Sequence, residues 1–192
     1  MGYCWHVLDV QIFTLLFQLA TTNSWTQQLA VFLGVQLPYV VCAAAALYEW
    51  FMRKHHEIPR SLVRIFLPGI VVWRLAWVLK AWLFVPRPKL VLGIAPIISV
   101  FDQNGAFPSA HATFFSAMAI SIFFRSRRAG VLFYCAALVV AFARVAGGVH
   151  WPSDAVGGLA LGAVGAVLGQ LGFSWYDSRS AARAASGNVS EI

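Results

Sequence analysis

The chain has 192 residues, of which 60% are hydrophobic and only 11% charged, and its mean hydropathy is +0.73. A soluble domain lies nearer half apolar and a quarter charged, so this composition excludes a soluble globular protein and indicates one polytopic membrane domain. A formal charge of +7 would suggest nucleic acid in a soluble chain, but here the basic residues lie in short loops between apolar runs, where membrane orientation accounts for them.

From the N-terminus, segment 7–20 contains Asp9, Gln11 and Gln18 and is too short to span comfortably. It reads as an amphipathic helix lying in the interface. Ser24-x-x-Gln27 is a capping-box pattern that opens the first span, 29–51. Further spans follow at 62–84, at 130–149 with Arg144 near its end, and at 155–175, each close to the ~20 apolar residues a bilayer requires. Run 110–124 is shorter and reaches spanning length if Phe107 and Pro108 start it. The expected fold class is therefore all-α: a polytopic membrane helical bundle of five transmembrane helices plus an N-terminal interfacial helix, or six spans if the first segment crosses. Residues 1–176 form a single domain, and 177–192 form a short, polar, mobile cytoplasmic tail.

Several features have plain readings. Cys4, Cys42 and Cys135 are odd in number and show neither a disulfide framework nor metal spacing. The start of the chain lacks a basic region and a small-residue cleavage site, so no removable signal peptide is expected. His6 stands where myristoylation requires Ser or Thr. His55-His56-Glu57 lies in a basic loop without helical ligand spacing. Arg74 lies mid-span and is expected to face protein or water. The last span carries Gly158-x3-Gly162 and Gly165-x3-Gly169, which permit close helix approach, within the chain or across a dimer.

Arg53, Lys54, Arg60 and Arg64 follow the first span, Arg125, Arg127 and Arg128 the third, and Arg179 and Arg183 the fifth. An odd–even count puts all nine on one face, which the positive-inside rule makes cytoplasmic. Lys80, Arg87, His111, Arg144 and His150 then fall together at the opposite, extracytoplasmic ends of their helices.

Those residues belong to three clusters: Lys80-x6-Arg87-Pro88, Pro108-Ser109-Ala110-His111, and Arg144-x5-His150-x3-Asp154. Lys80 alone reads as a snorkelling side chain. Arg87 stands between Pro86 and Pro88, which stop the helix and turn it back toward the site, and its fork suits a phosphate. Pro108 suits the first position of a helix, and the following N–H groups with the Ser109 hydroxyl make an anion seat. His111, one turn in, can pass a proton to a departing oxygen. Pro152 marks another helix start, so Asp154 can reach back to His150, fix its tautomer and leave the other nitrogen free to attack. Asp102, Gln103 and Asn104 form a polar loop that helps shape the site entrance.

These clusters resemble the signature of the type 2 phosphatidic acid phosphatase (PAP2) superfamily: Lys-x6-Arg-Pro, Pro-Ser-Gly-His and Ser-Arg-x5-His-x3-Asp. The match runs from Lys80 to Asp154, with Ala110 in place of the glycine and Ala143 in place of the serine. Within the superfamily, the short length and local patterns look most like bacterial undecaprenyl-diphosphate phosphatases of the bacitracin-resistance type. The resemblance implies metal-independent hydrolysis through a phosphohistidine, without a cofactor. It makes His150 the nucleophile oriented by Asp154, and His111 the acid and then the base. Lys80, Arg87, Ser109 and Arg144 would hold the phosphoryl oxygens. The residues alone do not say which histidine attacks.

The expectation is an enzyme of the cell (inner) membrane that removes phosphate from a polyprenyl diphosphate in the outer leaflet. Its partners are a phosphorylated lipid and the bilayer, not nucleic acid, and a dimer stays open. The alternative within enzymes is a phosphatase of phosphatidate, phosphatidylglycerophosphate or lipid A phosphate. From another class, the rival is a non-catalytic binder or transporter of phosphorylated lipid. The His150–Asp154 pair argues against that rival, since binding needs donors but no oriented imidazole.

Overall fold

A computed structural model describes residues 7–99 and 105–187, and among them every regular element is helical. The helices are α1 (Val7–Thr21), α2 (Ser24–Val31), α3 (Leu37–Met52), α4 (Ile58–Leu83), α5 (Pro88–Leu92), α6 (Ala110–Phe123), α7 (Arg127–Ala146) and α8 (Pro152–Gly187). A π-helical turn, Phe32–Gln36, joins α2 and α3 into one rod. By length and composition four helices can cross a membrane: the Ser24–Met52 rod, the one containing α4, α7 and α8. The protein is a multi-pass membrane protein.

Helix α6 is the axis of the bundle and packs on α4, α7 and α8. Ten of its 14 residues are buried, among them Ala112, Phe115, Met118 and Ile122. That explains why a run too short to span comfortably is tolerated: a helix apolar on all sides can sit inside protein and need not match the bilayer.

The glycines of α8 allow this packing. A Cβ on Gly162 would lie 2.2 Å from the Thr113 carbonyl of α6, and one on Gly158 2.6 Å from the Ser109 carbonyl. Gly165 and Gly169 meet Val72 and Pro68 of α4 in the same way. The small-residue stripe is therefore spent on close approach within the chain. The helix continues past Tyr176 to Gly187, through the start of the segment expected as a tail, and Asp177 bonds back to Arg60 and Arg64.

Three expectations shift. The cap of α2 lies one residue earlier than Ser24: the Asn23 side chain accepts from the Thr26 N–H at 3.0 Å while Thr26 Oγ1 accepts from the Asn23 N–H at 3.2 Å. Asparagine is at least as good a cap as serine, and threonine closes the box. Arg74 is exposed on the outer face of α4 with its guanidinium 5.8 Å from the Trp73 ring, so it does not face the bundle. Finally, Pro108 precedes the cap of α6 instead of opening the helix, because Ser109 is the N-cap.

At one end of the bundle a buried carboxylate ties the loops. Glu49 accepts from the Ser61 hydroxyl and pairs with Arg53 at 3.5 Å and Arg125 at 3.8 Å. At the other end, α1 lies against the start of α8. Phe13 is buried, its ring 5.2 Å from that of Trp151, and Asp9 accepts from the Ser153 N–H at 2.9 Å.

Candidate active site

The three clusters meet at the end of the bundle away from Glu49. Helix α4 stops at Leu83, where Phe84 takes a left-handed conformation (φ 44°), and the Pro86-Arg87-Pro88 stretch turns inward. Arg87 is buried and donates to the Val149 carbonyl at 2.9 Å and the Gly105 carbonyl at 3.5 Å. Lys80 does not snorkel. It is 1% exposed and donates to the Gly105 and Ala106 carbonyls at 3.2 and 3.0 Å. Those bonds fix the loop ahead of α6. The fit is close, since a Cβ on Gly105 would lie 2.8 Å from the Lys80 carbonyl.

At the start of α6 the Ser109 N–H is already committed to the Asp154 carbonyl at 2.9 Å. The N–H groups of Ala110, His111 and Ala112 have no acceptor within the helix, and with the positive end of the helix dipole they could hold an anion. The Ser109 hydroxyl is buried with no hydrogen-bond partner among the described residues. A buried orphan donor is costly, and a phosphoryl oxygen at the helix start would satisfy it.

Helix α7 ends at Ala146, and Gly148 (φ 83°) makes the reversal that only glycine takes without strain. Arg144 is buried and donates to the Gly34 carbonyl at 3.4 Å. Gly34 lies inside the π-helical turn, where Leu37 N–H bonds to Phe32 O; such turns recur at functional sites. Ile98 wedges between Gly34 and Gly147, because a Cβ on either would come within 2.5 Å of its Cδ1. These supports were missed in the sequence, although Gly34 is the one glycine of the first span.

His150 is 3% and Asp154 1% exposed. Asp154 Oδ2 accepts from the Trp151 N–H at 2.7 Å and lies 3.4 Å from His150 Nδ1. The carboxylate is thus held first by the backbone, and its contact with the imidazole is longer than an ordinary hydrogen bond. Burial, reinforced by the fields of Lys80, Arg87 and Arg144, holds the His150 imidazole well below its usual range. It is neutral at physiological pH. An Nδ1–H facing Asp154 leaves a lone pair on Nε2.

Beside this site a cavity of about 630 Å3 reaches His111 and Arg144 at one end and runs between Pro38, Tyr39, Trp73 and Trp77. Its walls suit an apolar chain attached to a bound phosphate. His55–Glu57 forms a short 3₁₀ turn near the Glu49 end and takes no part here. Asp102, Gln103 and Asn104 lie outside the described residues.

A family model described as the PAP2 superfamily matches residues 61–177. The chain is 28% identical over 166 residues to YbjG of Escherichia coli (strain K12), a provisionally named undecaprenyl-diphosphatase, covering 85% of this chain and 82% of that one. It is 26% identical over 170 residues to the undecaprenyl-diphosphatase BcrC of Bacillus subtilis (strain 168), covering 88% and 85%. Among solved structures, its fold is similar to that of Aquifex aeolicus LpxE, with a TM-score of 0.72 at 15% identity over 88% of this chain and 99% of that one. A transmembrane PAP2-type phosphatidylglycerolphosphate phosphatase from Bacillus subtilis gives 0.63 at 20% identity, over 88% and 85%.

Proposed function

The chain belongs to the PAP2 superfamily, and from that premise we propose that this membrane phosphatase removes the terminal phosphate of a polyprenyl diphosphate on the extracytoplasmic side. The observation that carries the reading is the buried His150, with Asp154 beside Nδ1 and the charges of Lys80, Arg87 and Arg144 acting on the ring. The polyprenyl diphosphate is supported by the relatives' names and by the long apolar cavity reaching His111. The side is supported by the basic loops at the other end.

In the first half, His150 Nε2 attacks the terminal phosphorus, and the bond to the bridging oxygen breaks. The electron pair leaves with polyprenyl monophosphate, protonated by His111 as far as its basicity requires. Lys80, Arg87, Arg144, the Ser109 hydroxyl and the first N–H groups of α6 hold the equatorial oxygens as charge redistributes. Asp154 stabilises the imidazolium that forms. In the second half, His111, neutral after giving up its proton, takes one from water, whose oxygen attacks the phosphohistidine; the P–N bond breaks, its electron pair returns to His150 Nε2, and inorganic phosphate leaves.

The test is phosphate release from undecaprenyl diphosphate, phosphatidate and phosphatidylglycerophosphate in EDTA, by wild type and His150→Ala. The expected result is fastest release from the diphosphate and none by the variant. Binding without wild-type release would make the protein a lipid binder, and undiminished release by His150→Ala would sink the mechanism.

A further inference from the structure

The end of the bundle remote from His150 carries two cavities that share one residue, Arg64. The larger, about 780 Å3, is an apolar groove between α4 and α8 walled by Val63, Gly172, Phe173 and Trp175. The smaller, about 210 Å3, is lined by Arg64, Arg125, Gln170 and Ser174 with Phe124 and Leu171. A polar chamber the size of a headgroup therefore opens beside a groove the width of a chain.

The electrostatics there are unbalanced. Four arginines, at 53, 60, 64 and 125, pair with the two carboxylates of Glu49 and Asp177, and the charge of Glu57 also reaches Arg125, which leaves the cations in excess. Arg64 engages Asp177 through Nη2 alone. Arg125 uses Nη1 for both the Ser61 carbonyl, at 3.2 Å, and Glu49. A guanidinium carries five N–H donors, so both keep donors for a further anion. The groove wall is also open: a Cβ on Gly172 would meet nothing within 4 Å.

We propose that these two neighbouring cavities, which meet at Arg64, bind an anionic glycerophospholipid. Its phosphate diester lies between Arg64 and Arg125, within reach of Ser174 and Gln170, and one acyl chain runs along the groove past Gly172 and Phe173. Basic pockets between transmembrane helices on the positive side of a membrane take such headgroups. A free phosphate would fill the small chamber and leave the groove without purpose. The site is independent of the catalytic reading, since it shares no residue with it.

Delipidated protein titrated with phosphatidylglycerol or phosphatidylcholine, read by native mass spectrometry, tests the proposal. Wild type should bind one phosphatidylglycerol roughly tenfold more tightly than phosphatidylcholine, the effect of adding charge-assisted bonds to a net anion. Gly172→Phe, which grows into open groove, should weaken both lipids. Ser174→Asp, on an exposed position, should abolish the preference by repelling the headgroup. Both variants should retain wild-type thermal unfolding, which reports their fold. Equal affinity of wild type for the two lipids, undiminished binding by Gly172→Phe, or displacement of phosphatidylglycerol by equimolar inorganic phosphate would overturn it.

Discussion

Arg87 donates from Nη1 to the carbonyl of Val149 at 2.9 Å, the residue immediately before His150. One guanidinium thus fixes the backbone that carries the proposed nucleophile and, through the Gly105 carbonyl, the loop ahead of α6. Lysine keeps the charge but not the fork. Arg87→Lys should therefore lower kcat by roughly 10²–10³, the scale of a lost transition-state donor. Steady-state release with wild-type and variant enzyme checks this; a change confined to KM would make Arg87 a simple headgroup anchor.

His111 is the proposed proton donor, and its importance depends on what leaves. A polyprenyl monophosphate is a weak base as a leaving group, whereas the alkoxide from an alkyl monophosphate is a strong one. His111→Ala should cost about 10²-fold on a lipid monophosphate and clearly less on a diphosphate. Equal losses on the two substrates would count against this assignment.

The Gly34 carbonyl holds Arg144 only while the π-helical turn keeps its place. A Cβ at Gly34 would stand 2.5 Å from Ile98 Cδ1, so Gly34→Ala should displace the turn and lower kcat. Ile98→Val removes that one methyl group. The double variant should regain most of the lost kcat, with substrate KM little changed throughout. Failure of the second substitution to rescue the first would show that Gly34 serves helix flexibility and not the placement of Arg144.

Burial holds the folded-state pKa of His150 well below its ordinary value, while an unfolded histidine titrates near ~6.5. The unfolded state therefore binds more protons below that pH, and stability rises with pH through this window. Wild-type protein should lose thermal stability as pH falls below about 6.5. His150→Gln, with no group to titrate, should lose less. Thermal midpoints across pH 5–8 measure the difference; parallel curves would mean that His150 is not held neutral.

The residues that bear charge were legible in the sequence, and so was their convergence, because loop charges and span count fix which helix ends coincide. Lys80, Arg87, Ser109, His111, Arg144, His150 and Asp154 all lie at one end. What stayed hidden was the backbone holding them. The Gly105, Ala106, Val149 and Gly34 carbonyls come from positions whose side chains say nothing of hydrogen bonding. The buried state of Lys80 was hidden for the same reason: its acceptors are peptide groups 25 and 26 residues away. The α8 glycines could be read as close-packing positions, but only the structure identifies α6 and α4 as the surfaces they meet.

The clamp between the first and last helices bears on the order of assembly. Asp9 meets Ser153 across 144 residues of chain, and Phe13 rests on Trp151. The N-terminal helix is made first and packs on α2 and α7, yet its contacts with Trp151 and Ser153 wait until synthesis reaches the start of α8, which also supplies Asp154. A nascent chain lacking α8 has the cations and both histidines but no oriented pair. On the proposed mechanism, phosphatase competence therefore waits for the final helix to enter the membrane.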